Sequence, residues 1–532
     1  MIGGGGAGAL ASIEASEHER LKIILACKGP IGQSGLTPTA NGGTKAIGSA
    51  EELFKDMIIG GSYLNDQDLV WFMVNQIPRA IEKLKKFGIP VMPLRGKSAC
   101  VPSTETLKKL RDIILHQQNI ELLEDVLITS LLKSDKGISG ATALDLTTGI
   151  FFVIQARAVI LATGGLTGEL YPHTSNNPFG VSTFSSGTGH VMAYLAGAEL
   201  IDMEMIQFVP LPANPKCLYL RYFPEFWAGP YENHCGEIIE SDVKSYPGES
   251  YSYLFVQKLF RELEKGNGPI YIDQRNSKKP DPALMIKSWE MRRKLIKSLG
   301  IDPRDNRIEI LLGSHFGMGG VRVNPQTETS LPGFFAAGEV MGGVHGGMRL
   351  SGYSLTQMIV FGLKAGEQAA AFTLGQGKPG KIPMEDVQQE KARLIHLLKP
   401  KPDPVSVMPL KKALRQVMQD HGFIIRDQAG LTEGMKQILN LREDVARISV
   451  FDSRRYNLEW IEAIEFSLMI EAAEIIMASA LKREESRGFH YRKDFSKEDN
   501  THWLKHTLAK RVEGRLKIDS APVVLDRMRP MG

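Results

Sequence analysis

Three glycines at the start of the chain constrain its fold more than any other feature. The sequence opens Met-Ile-Gly-Gly-Gly-Gly-Ala-Gly, in which Gly3, Gly5 and Gly8 fit the G-x-G-x-x-G pattern of a dinucleotide-binding turn. The first glycine permits the tight turn, the second lets the backbone approach a pyrophosphate, and the third lets the next helix pack closely on its strand. Residues 9–17 then predict a helix whose first amides hold the phosphates. The alternative is a flexible glycine-rich terminus.

The next segment predicts a second strand and argues against a simple NAD site. Residues 21–27 form a short apolar run of the buried-strand type. A ribose-binding acid is expected about 20 residues after the glycines, but the strand ends in Cys27 and Lys28. Only Met1 and Ile2 precede the glycines, so we expect either a start further upstream or a first strand that is cut short.

Composition is that of a soluble globular protein with two or three domains. The chain has 532 residues, of which 43% are hydrophobic and 23% are charged. Its net charge of +4 gives no case for nucleic-acid binding. No apolar run reaches the ~18 residues needed to cross a membrane, and no signal peptide opens the chain. We therefore expect a cytoplasmic protein without direct membrane insertion.

The cysteines predict neither a metal site nor a redox centre bound to the chain itself. Cys27, Cys100, Cys217 and Cys235 show no C-x-x-C spacing. This pattern is typical of reduced cytosolic thiols, and it predicts no iron–sulfur cluster or c-type haem in this chain.

The middle and end of the chain contain segments with strand patterns, segments with helical patterns and a predicted linker. Residues 119–162 read as strands and run into Thr163, Gly164 and Gly165, a pattern that recurs where a sheet passes beneath a bound dinucleotide. Residues 209–312 read as an inserted module, which contains a helix at 253–265. The later predictions are a long helix at 355–374, a Gly/Pro/Lys-rich linker at 375–404 and helices without strands at 408–482.

Several motifs, in this order and spacing, resemble the flavoprotein subunits of succinate dehydrogenase and fumarate reductase, with aspartate oxidase and adenylylsulfate reductase as relatives. The resemblance covers essentially the whole chain. Besides the opening glycines, the motifs are 34–43 (Ser-Gly-Leu-Thr-Pro-Thr-Ala-Asn-Gly-Gly), 162–165 (Ala-Thr-Gly-Gly), 203–208 (Met-Glu-Met-Ile-Gln-Phe), 314–320 (Ser-His-Phe-Gly-Met-Gly-Gly), 332–339 (Pro-Gly-Phe-Phe-Ala-Ala-Gly-Glu), 345–355 (His-Gly-Gly-Met-Arg-Leu-Ser-Gly-Tyr-Ser-Leu) and 485–494 (Glu-Ser-Arg-Gly-Phe-His-Tyr-Arg-Lys-Asp).

The resemblance implies an α/β fold built around a discontinuous, Rossmann-like FAD-binding domain. Residues 1–208 and 313–377 would form that domain, and residues 209–312 would form an inserted α+β capping domain that closes over the flavin. Residues 405–532 would form a C-terminal helical domain. Since the chain has no cluster of its own, the flavin would exchange electrons with a diffusing acceptor or with an iron–sulfur partner subunit.

The resemblance also implies the residues that hold FAD. Lys28 fits, because flavoproteins of this group usually end the second strand in Ser/Thr-Lys. Glu339 would accept from ribityl hydroxyls, and its alternative is a helix-start carboxylate. The helix that begins near Ser354 and Leu355 would turn its positive end to the flavin. The full predicted set is Gly3, Gly5, Gly6, Ala7, Gly8, Lys28, Ser34, Gly42, Gly43, Ala162, Thr163, Gly164, Glu339, Ser354 and Leu355.

Two departures from the family pattern concern the cofactor. The family's Gly-Asp-Gly reads Gly187-Thr188-Gly189 here, which removes an acid near FAD. Membrane-bound relatives attach FAD covalently through a histidine, at a position that holds Gly35 or Leu36 in this chain. The resemblance therefore implies noncovalent FAD.

At the reacting end, the resemblance implies three candidate catalytic residues. Arg349 would grip a substrate carboxylate, because a guanidinium is always charged and binds carboxylate through two parallel hydrogen bonds. His315 matches a substrate-contacting histidine, and His345 would line the flavin edge. The alternatives are a surface ion pair for Arg349 and structural roles for the two histidines.

Other departures make turnover of succinate or fumarate doubtful. Family members carry a histidine after Gln-Phe, where this chain has Val209. Their Thr-Glu-Gly-x-Arg-Gly aligns with residues 221–227, and their proton-delivering arginine aligns near Ser252, with Gln257 at the next family arginine. One carboxylate grip and the proton relay are therefore missing. Adenylylsulfate reductases share Phe-Val-Pro at this point and a Gly-Pro-Ile-Tyr-x-Asp at 268–273.

The aromatic insert is either capping-domain core or the wall of a substrate pocket for something larger and less polar than fumarate. Its members are Tyr219, Tyr222, Phe223, Phe226 and Trp227. In the second case, the neighbouring Arg221 could replace the lost carboxylate grip.

We expect an FAD-dependent oxidoreductase that moves hydride between a small organic acid and flavin N5, together with an iron–sulfur partner. The alternatives are an adenylylsulfate-type sulfur-compound reductase and an electron-relay subunit that has no small substrate of its own.

Overall fold

A computed structural model describes residues 1–40, 42–94, 97–175, 185–214, 230–240, 252–273, 294, 297–298, 300, 307–375 and 378–530. Within these ranges the helices are α1 Gly6–Ser16, α2 Ala50–Gly60, α3 Gln67–Lys86, α4 Ser103–His116, α5 Thr188–Ala196, α6 Tyr253–Glu264, α7 Tyr353–Gly375, α8 Met384–Leu397, α9 Val407–His421, α10 Gln428–Val445 and α11 Leu458–Lys482.

The strands described in the same ranges are β1 Ile23–Ala26, β2 Gly43–Lys45, β3 Met92–Pro93, β4 Ser98–Cys100, β5 Ile120–Leu123, β6 Val126–Ser134, β7 Gly137–Asp145, β8 Phe151–Gln155, β9 Val159–Leu161, β10 Leu200–Ile201, β11 Ile206–Pro212, β12 Tyr231–Glu232, β13 Ile238–Ile239, β14 Ile270–Ile272, β15 Ile308–Gly317, β16 Gly320–Val321, β17 Phe334–Ala336, β18 Ile425–Arg426, β19 Tyr491–Arg492, β20 Lys505–Val512 and β21 Arg515–Pro522.

A parallel sheet carries the glycine turn and joins two distant parts of the chain. Strand β1 pairs with β5, and β9 pairs with β17, both in parallel. Ile2 forms parallel bridges to Ala26 of β1 and Leu161 of β9, so it connects the two pairs. Because β17 follows the inserted module, the predicted discontinuous layout of the nucleotide-binding domain is confirmed.

Helix α1 lies in the centre of the molecule, and all of its residues are buried. Its small side chains let the long helix α7 approach closely, at Gly362 and Gly366. A Cβ at Gly362 would lie 2.9 Å from the carbonyl oxygen of Ala7, and one at Gly366 would collide with that of Ala11. Backbone-to-backbone packing of this kind fixes the starts of both helices relative to each other.

The inserted module contains a five-stranded sheet in the order β11-β15-β14-β12-β13. This sheet spans residues 206–317, slightly beyond the predicted limits of 209–312. Helix α6 matches the predicted helix at 253–265 and packs on β11. The aromatic insert, including Arg221, lies outside the described residues.

The C-terminal part is more varied than the sequence indicates. The predicted linker at 375–404 contains helix α8, and the stretch predicted without strands contains β18, which pairs with β19. After α11, strands β20 and β21 form a hairpin that joins β10 and β16 in a four-stranded sheet. Glu513 and Gly514 both have positive φ at the turn, as a two-residue type I′ hairpin requires.

A buried ionic network ties this C-terminal part to the nucleotide-binding domain. The Arg483 guanidinium donates to Glu204 at 2.6 Å and to Glu485 at 2.9 Å, and all three side chains are fully buried. Asp202 lies 3.3 Å from the same guanidinium. A buried arginine surrounded by carboxylates meets its hydrogen-bonding needs inside the protein, and Glu485 of the motif at 485–494 takes part in this network.

Candidate cofactor and substrate site

The three opening glycines have three different surroundings, as a phosphate-binding turn requires. Gly3 has a φ of +103°, and an added Cβ would collide with the carbonyl oxygen of Ala162. A Cβ at Gly8 would collide with the carbonyl oxygen of Gly3. At Gly5 it would meet only Thr37 Oγ1, at 3.8 Å. Gly3 and Gly8 are therefore needed for packing, whereas Gly5 leaves open the space into which the first amides of α1 point.

Two helix starts meet beside this turn. Helix α1 begins after Gly5, which provides no side-chain cap, and its first turn has no acidic residue. The side chain of Met358, from the first two turns of α7, lies directly against Gly6, and Thr37 Oγ1 accepts from the Gly6 amide at 3.2 Å. Ser354 and Leu355 lie in the first turn of α7, as predicted, and that turn has no acidic residue either. Two helix N-termini whose first turns carry no acid favour an anionic ligand.

The segment after β9 forms the floor of the cradle. Ala162 contacts Gly3, and Gly164 follows with a φ of +79°. A Cβ at Gly189, in the first turn of α5, would collide with the Thr163 hydroxyl. Gly187 precedes that helix in the left-handed conformation. Glycine is therefore sterically favoured at both Gly187 and Gly189.

Glu339 lies where the cradle meets the reacting end. It belongs to a short 3-10 helix after β17, and its carboxylate packs against Gly165. Its Oε1 accepts from the amide of Gly317 at 3.2 Å. Burial raises the pKa of Glu339 to about 7, against the opposing effects of that amide and of the positive charge of Arg349. The half-buried Glu339 carboxylate has one donor among the described residues, so it has remaining capacity to accept from ligand hydroxyls.

The remaining predicted cofactor residues are distributed around this cradle. Gly42 has a φ of +83° and Gly43 opens β2, which lies beside the start of α7. The Ser34 hydroxyl donates to the carbonyl of Pro30 at 2.8 Å. Lys28 Nζ lies 2.6 Å from Glu465 Oε2 of α11. Glu465 could not be found from the sequence, because it lies 437 positions away along the chain.

Arg349 is a buried cation whose contacts within the described residues are all with uncharged groups. Its side chain is 6% exposed. Its Nε donates to Gln207 Oε1 at 2.8 Å, its Nη1 donates to the carbonyl of Leu350 at 3.3 Å, and its guanidinium lies 5.4 Å from the ring of Phe316. A surface ion pair, the alternative weighed from the sequence, does not describe this residue.

His345 is held as a neutral ring beside Arg349. Its Nε2 lies 2.7 Å from Gln357 Oε1. Since the Gln357 amide nitrogen donates to the carbonyls of Gly338 and Met341, its oxygen accepts, and the hydrogen is on His345 Nε2. Burial, followed by the charge of Arg349, lowers the pKa of His345 to about 3. This favours the structural interpretation over proton transfer.

His315 lies on β15, next to Phe316 and close to the same elements. Its Nδ1 lies 2.6 Å from the hydroxyl of Ser175. Phe316 connects two of the candidates, because its ring contacts both His345, at a centroid distance of 5.3 Å, and Arg349. The structure therefore brings Arg349 and His345 together, and it places His315 next to Phe316 along β15.

The positions that depart from the family pattern lie nearby, without charge. Val209 is buried on β11, where it pairs with Gly313 of β15. Ser252 caps α6 by accepting from the amide of Phe255 at 3.2 Å, and Gln257 is buried in the same helix.

Gln207 and Ser175 are contacts of the site that sequence reasoning did not assign. Gln207 lies inside a recognised motif, 203–208, but nothing in that motif indicates a bond to a residue 142 positions away. Ser175 lies 140 positions before His315 along the chain, and no sequence pattern predicts a hydrogen bond over that separation.

These residues fit FAD. The cradle has an open position at Gly5, a half-buried acceptor in Glu339 and a buried cation in Arg349. A nucleotide site beside a buried cation fits an FAD-dependent oxidoreductase.

The comparison with known proteins agrees with this assignment. Residues 1–355 match the FAD binding domain family, and residues 411–532 match the fumarate reductase flavoprotein C-terminal family. The chain therefore belongs to the fumarate reductase and succinate dehydrogenase flavoprotein family, and FAD is its cofactor.

Individual relatives match over nearly the whole length. An FAD-dependent oxidoreductase of Methanocaldococcus jannaschii is 33% identical, with 93% of each chain covered. One subunit of the fumarate reductase (CoM/CoB) of Methanothermobacter marburgensis is 30% identical, with 96% of each chain covered.

Solved structures agree as well. The FrdA chain of Escherichia coli quinol fumarate reductase superposes with a TM-score of 0.87 at 26% identity, covering 100% of this chain and 97% of that one. Adenylylsulfate reductase of Archaeoglobus fulgidus shares the fold, with a TM-score of 0.79 at 20% identity and coverage of 98% and 95%. Across the described ranges, none of the helices combines the length and the apolar character that crossing a membrane requires.

Proposed function

We propose that the protein transfers hydride between a small organic acid and its flavin, by reversible α,β-dehydrogenation or enoate reduction, and that it exchanges electrons with an iron–sulfur partner subunit. The observation that carries this proposal is the environment of Arg349. A buried guanidinium is costly unless it is paired, and within the described residues its partners are Gln207, Leu350 and Phe316. A substrate carboxylate supplies the missing negative charge.

The geometry assigns separate tasks to the surrounding side chains. Gln207 fixes Nε of Arg349, and Nη1 has only a long bond of 3.3 Å to the Leu350 carbonyl among the described residues, so the terminal edge of the guanidinium can turn to a carboxylate. His315 would contribute a polar group from β15, where it precedes Phe316. His345 and Phe316 form a wall beside the guanidinium, and such an uncharged wall strengthens the attraction between the arginine and an anion.

Glycines 3, 5 and 8, the start of α7 and Glu339 would hold the cofactor, and FAD, when bound, supplies the hydride donor or acceptor. We propose that the attachment is noncovalent, because Gly35 and Leu36 stand where a linking histidine would be needed.

The named relatives support a carboxylate substrate and a multi-subunit assembly. The Methanothermobacter relative is one subunit of its fumarate reductase, and the Escherichia coli chain belongs to a quinol fumarate reductase. The adenylylsulfate alternative receives support from the fold alone. A relay without a small substrate does not require a buried arginine that forms no ion pair with any of the described residues.

The proposal is tested with the purified, FAD-loaded protein, by reducing its flavin under anaerobic conditions and mixing it with a panel of enoic acids. Reoxidation of the flavin by at least one acid is expected. A protein that is reoxidised only by a partner iron–sulfur protein, and by no acid in the panel, would be a relay and would refute the proposal.

A further inference from the structure

The candidate substrate histidine lies at an irregularity in the capping sheet. On β11 and β15, Gln207 pairs with Phe316 and the next residue, Phe208, pairs with Ser314. His315 is therefore the extra residue of a β-bulge. Bulges redirect one side chain and are enriched beside active sites. The bulge therefore interrupts the regular alternation of side chains along β15 at His315.

A short segment attached to β15 places a serine beside this ring. Residues 173–175 are fixed to Ser314 by two backbone hydrogen bonds. The Ser175 amide donates to the Ser314 carbonyl at 2.9 Å and the Ser314 amide donates to the His173 carbonyl at 3.0 Å, so that Thr174 and Ser314 form a parallel bridge. The Ser314 hydroxyl anchors the same region to the Thr167 carbonyl at 2.9 Å. Ser175 is consequently held in one place.

The fixed serine is bonded to one particular nitrogen of His315. Ser175 is 5% exposed, and its hydroxyl lies 2.6 Å from Nδ1. In a neutral imidazole one nitrogen carries the hydrogen and the other accepts, and the bond made by one nitrogen decides the state of the other. A hydroxyl that donates to Nδ1 leaves the hydrogen on Nε2, on the opposite side of the ring.

We propose that Ser175 is a positioning residue that fixes His315 as its Nε2–H tautomer, so that the ring presents a hydrogen-bond donor to the substrate carboxylate. This inference rests on the proposed function, because a bare Nε2 lone pair would repel a carboxylate oxygen. Ser175 itself does not touch the substrate. Its role depends on the backbone hydrogen bonds that hold the segment 173–175 beside the β-bulge.

The test uses the full-length, FAD-loaded protein with ¹⁵N-labelled histidine. Long-range ¹H–¹⁵N spectra report the tautomer of each ring, and a His315→Gln variant assigns the His315 signals. The parent protein and Ser175→Thr, which keeps the hydroxyl, should both show the Nε2–H tautomer. Ser175→Ala should show a mixture of tautomers. Ser139→Ala, which removes a buried hydroxyl bonded to the Leu132 carbonyl on a distant strand, is the matched control.

Carboxylate binding provides the second readout, with crotonate and fumarate as probes and the flavin absorbance change as the signal. Ser175→Ala should weaken binding about tenfold, within the usual range for a hydrogen bond to a charged group, and Ser175→Thr should restore it. The KM should change more than kcat.

Two results would overturn the role of Ser175. One is an Nδ1–H tautomer in the parent protein, and the other is a His315 spectrum that is unchanged in Ser175→Ala. If neither probe perturbs the flavin of the parent protein, the proposed function is at fault, and the tautomer measurement still decides the role of Ser175.

Discussion

Gln207 holds Arg349 at two points: its Oε1 accepts from Nε at 2.8 Å, and its Nε2 donates to the arginine's main-chain carbonyl at 3.1 Å. Gln207 belongs to strand β11 of the capping sheet, whereas Arg349 precedes helix α7 of the nucleotide-binding domain. The orientation of the Arg349 guanidinium therefore depends on how the capping sheet is placed.

Replacing Gln207 with glutamate should weaken the binding of a substrate acid to Arg349. In Gln207→Glu the new charge pairs with Arg349 and competes with the substrate carboxylate, so the Kd for an acid probe should rise about tenfold or more, or ~1.4 kcal/mol. Titration of the flavin absorbance with crotonate measures this effect. Gln155→Glu, on an exposed part of β8, is the control. Unchanged binding in Gln207→Glu would show that Arg349 is not the carboxylate site.

The charge of Glu339 should make the FAD-free protein less stable as the pH rises. Its pKa is raised to about 7 from 4.5 by burial, so the folded state holds a proton that the unfolded state has already lost between those values. Stability from this group is therefore present at low pH and is lost as the pH rises towards 7. In Glu339→Gln that part of the pH dependence should disappear. The measurement is the melting temperature of the parent protein and of the variant between pH 4.5 and pH 7. If the melting temperatures of the two proteins changed in parallel with pH, the assignment would be contradicted.

FAD should leave the denatured protein. Neither Gly35 nor Leu36 can form a covalent bond to the flavin, so acid precipitation should leave the yellow chromophore in the supernatant. Flavin that remains in the pellet after washing would refute noncovalent binding.

The protein should be a poor succinate dehydrogenase and a poor fumarate reductase. Val209, Ser252 and Gln257 are uncharged where the family pattern has ionisable groups. Each missing contact could cost about 2–4 kcal/mol of transition-state binding, so two or three losses should lower the rate by roughly three or more powers of ten. The assay is dye-linked succinate oxidation and fumarate reduction with the partner subunit present. Turnover above about 10 per second, the median for enzymes, would show that other residues replace the missing groups.

The parts of the fold that the sequence predicts well are those with local signals. The glycine turn and α1, the strand at Ile23–Ala26 and the long helix α7 follow from spacing and apolar periodicity within short windows. Helix α8 was missed because glycine, proline and lysine dominate the segment around it. The hairpin β20–β21 was missed because its turn is Glu513-Gly514, rather than the usual Asn-Gly or Asp-Gly.

The residues of the candidate site also divide into those with a local sequence signal and those without one. Arg349, His315 and His345 come from motifs with recognisable spacing, and the structure brings Arg349 and His345 together against Phe316. Their partners Gln207, Ser175 and Gln357 depend on strand register and helix packing, which no local pattern contains. The neutral state of His345 also depends on burial and on the charge of Arg349, so it could be seen only in three dimensions.

The most direct measurement of the central claim is the reoxidation rate of the reduced flavin by an active enoic acid, in the parent protein and in Arg349→Lys. Lysine keeps the charge but loses the two parallel hydrogen bonds to a carboxylate. The variant should retain FAD and lose at least about two powers of ten in rate, or roughly 2.7 kcal/mol. Arg322→Lys, in an exposed ion pair with Glu199, should match the parent. Equal rates for Arg349→Lys and the parent protein would contradict the proposal that this arginine holds the substrate.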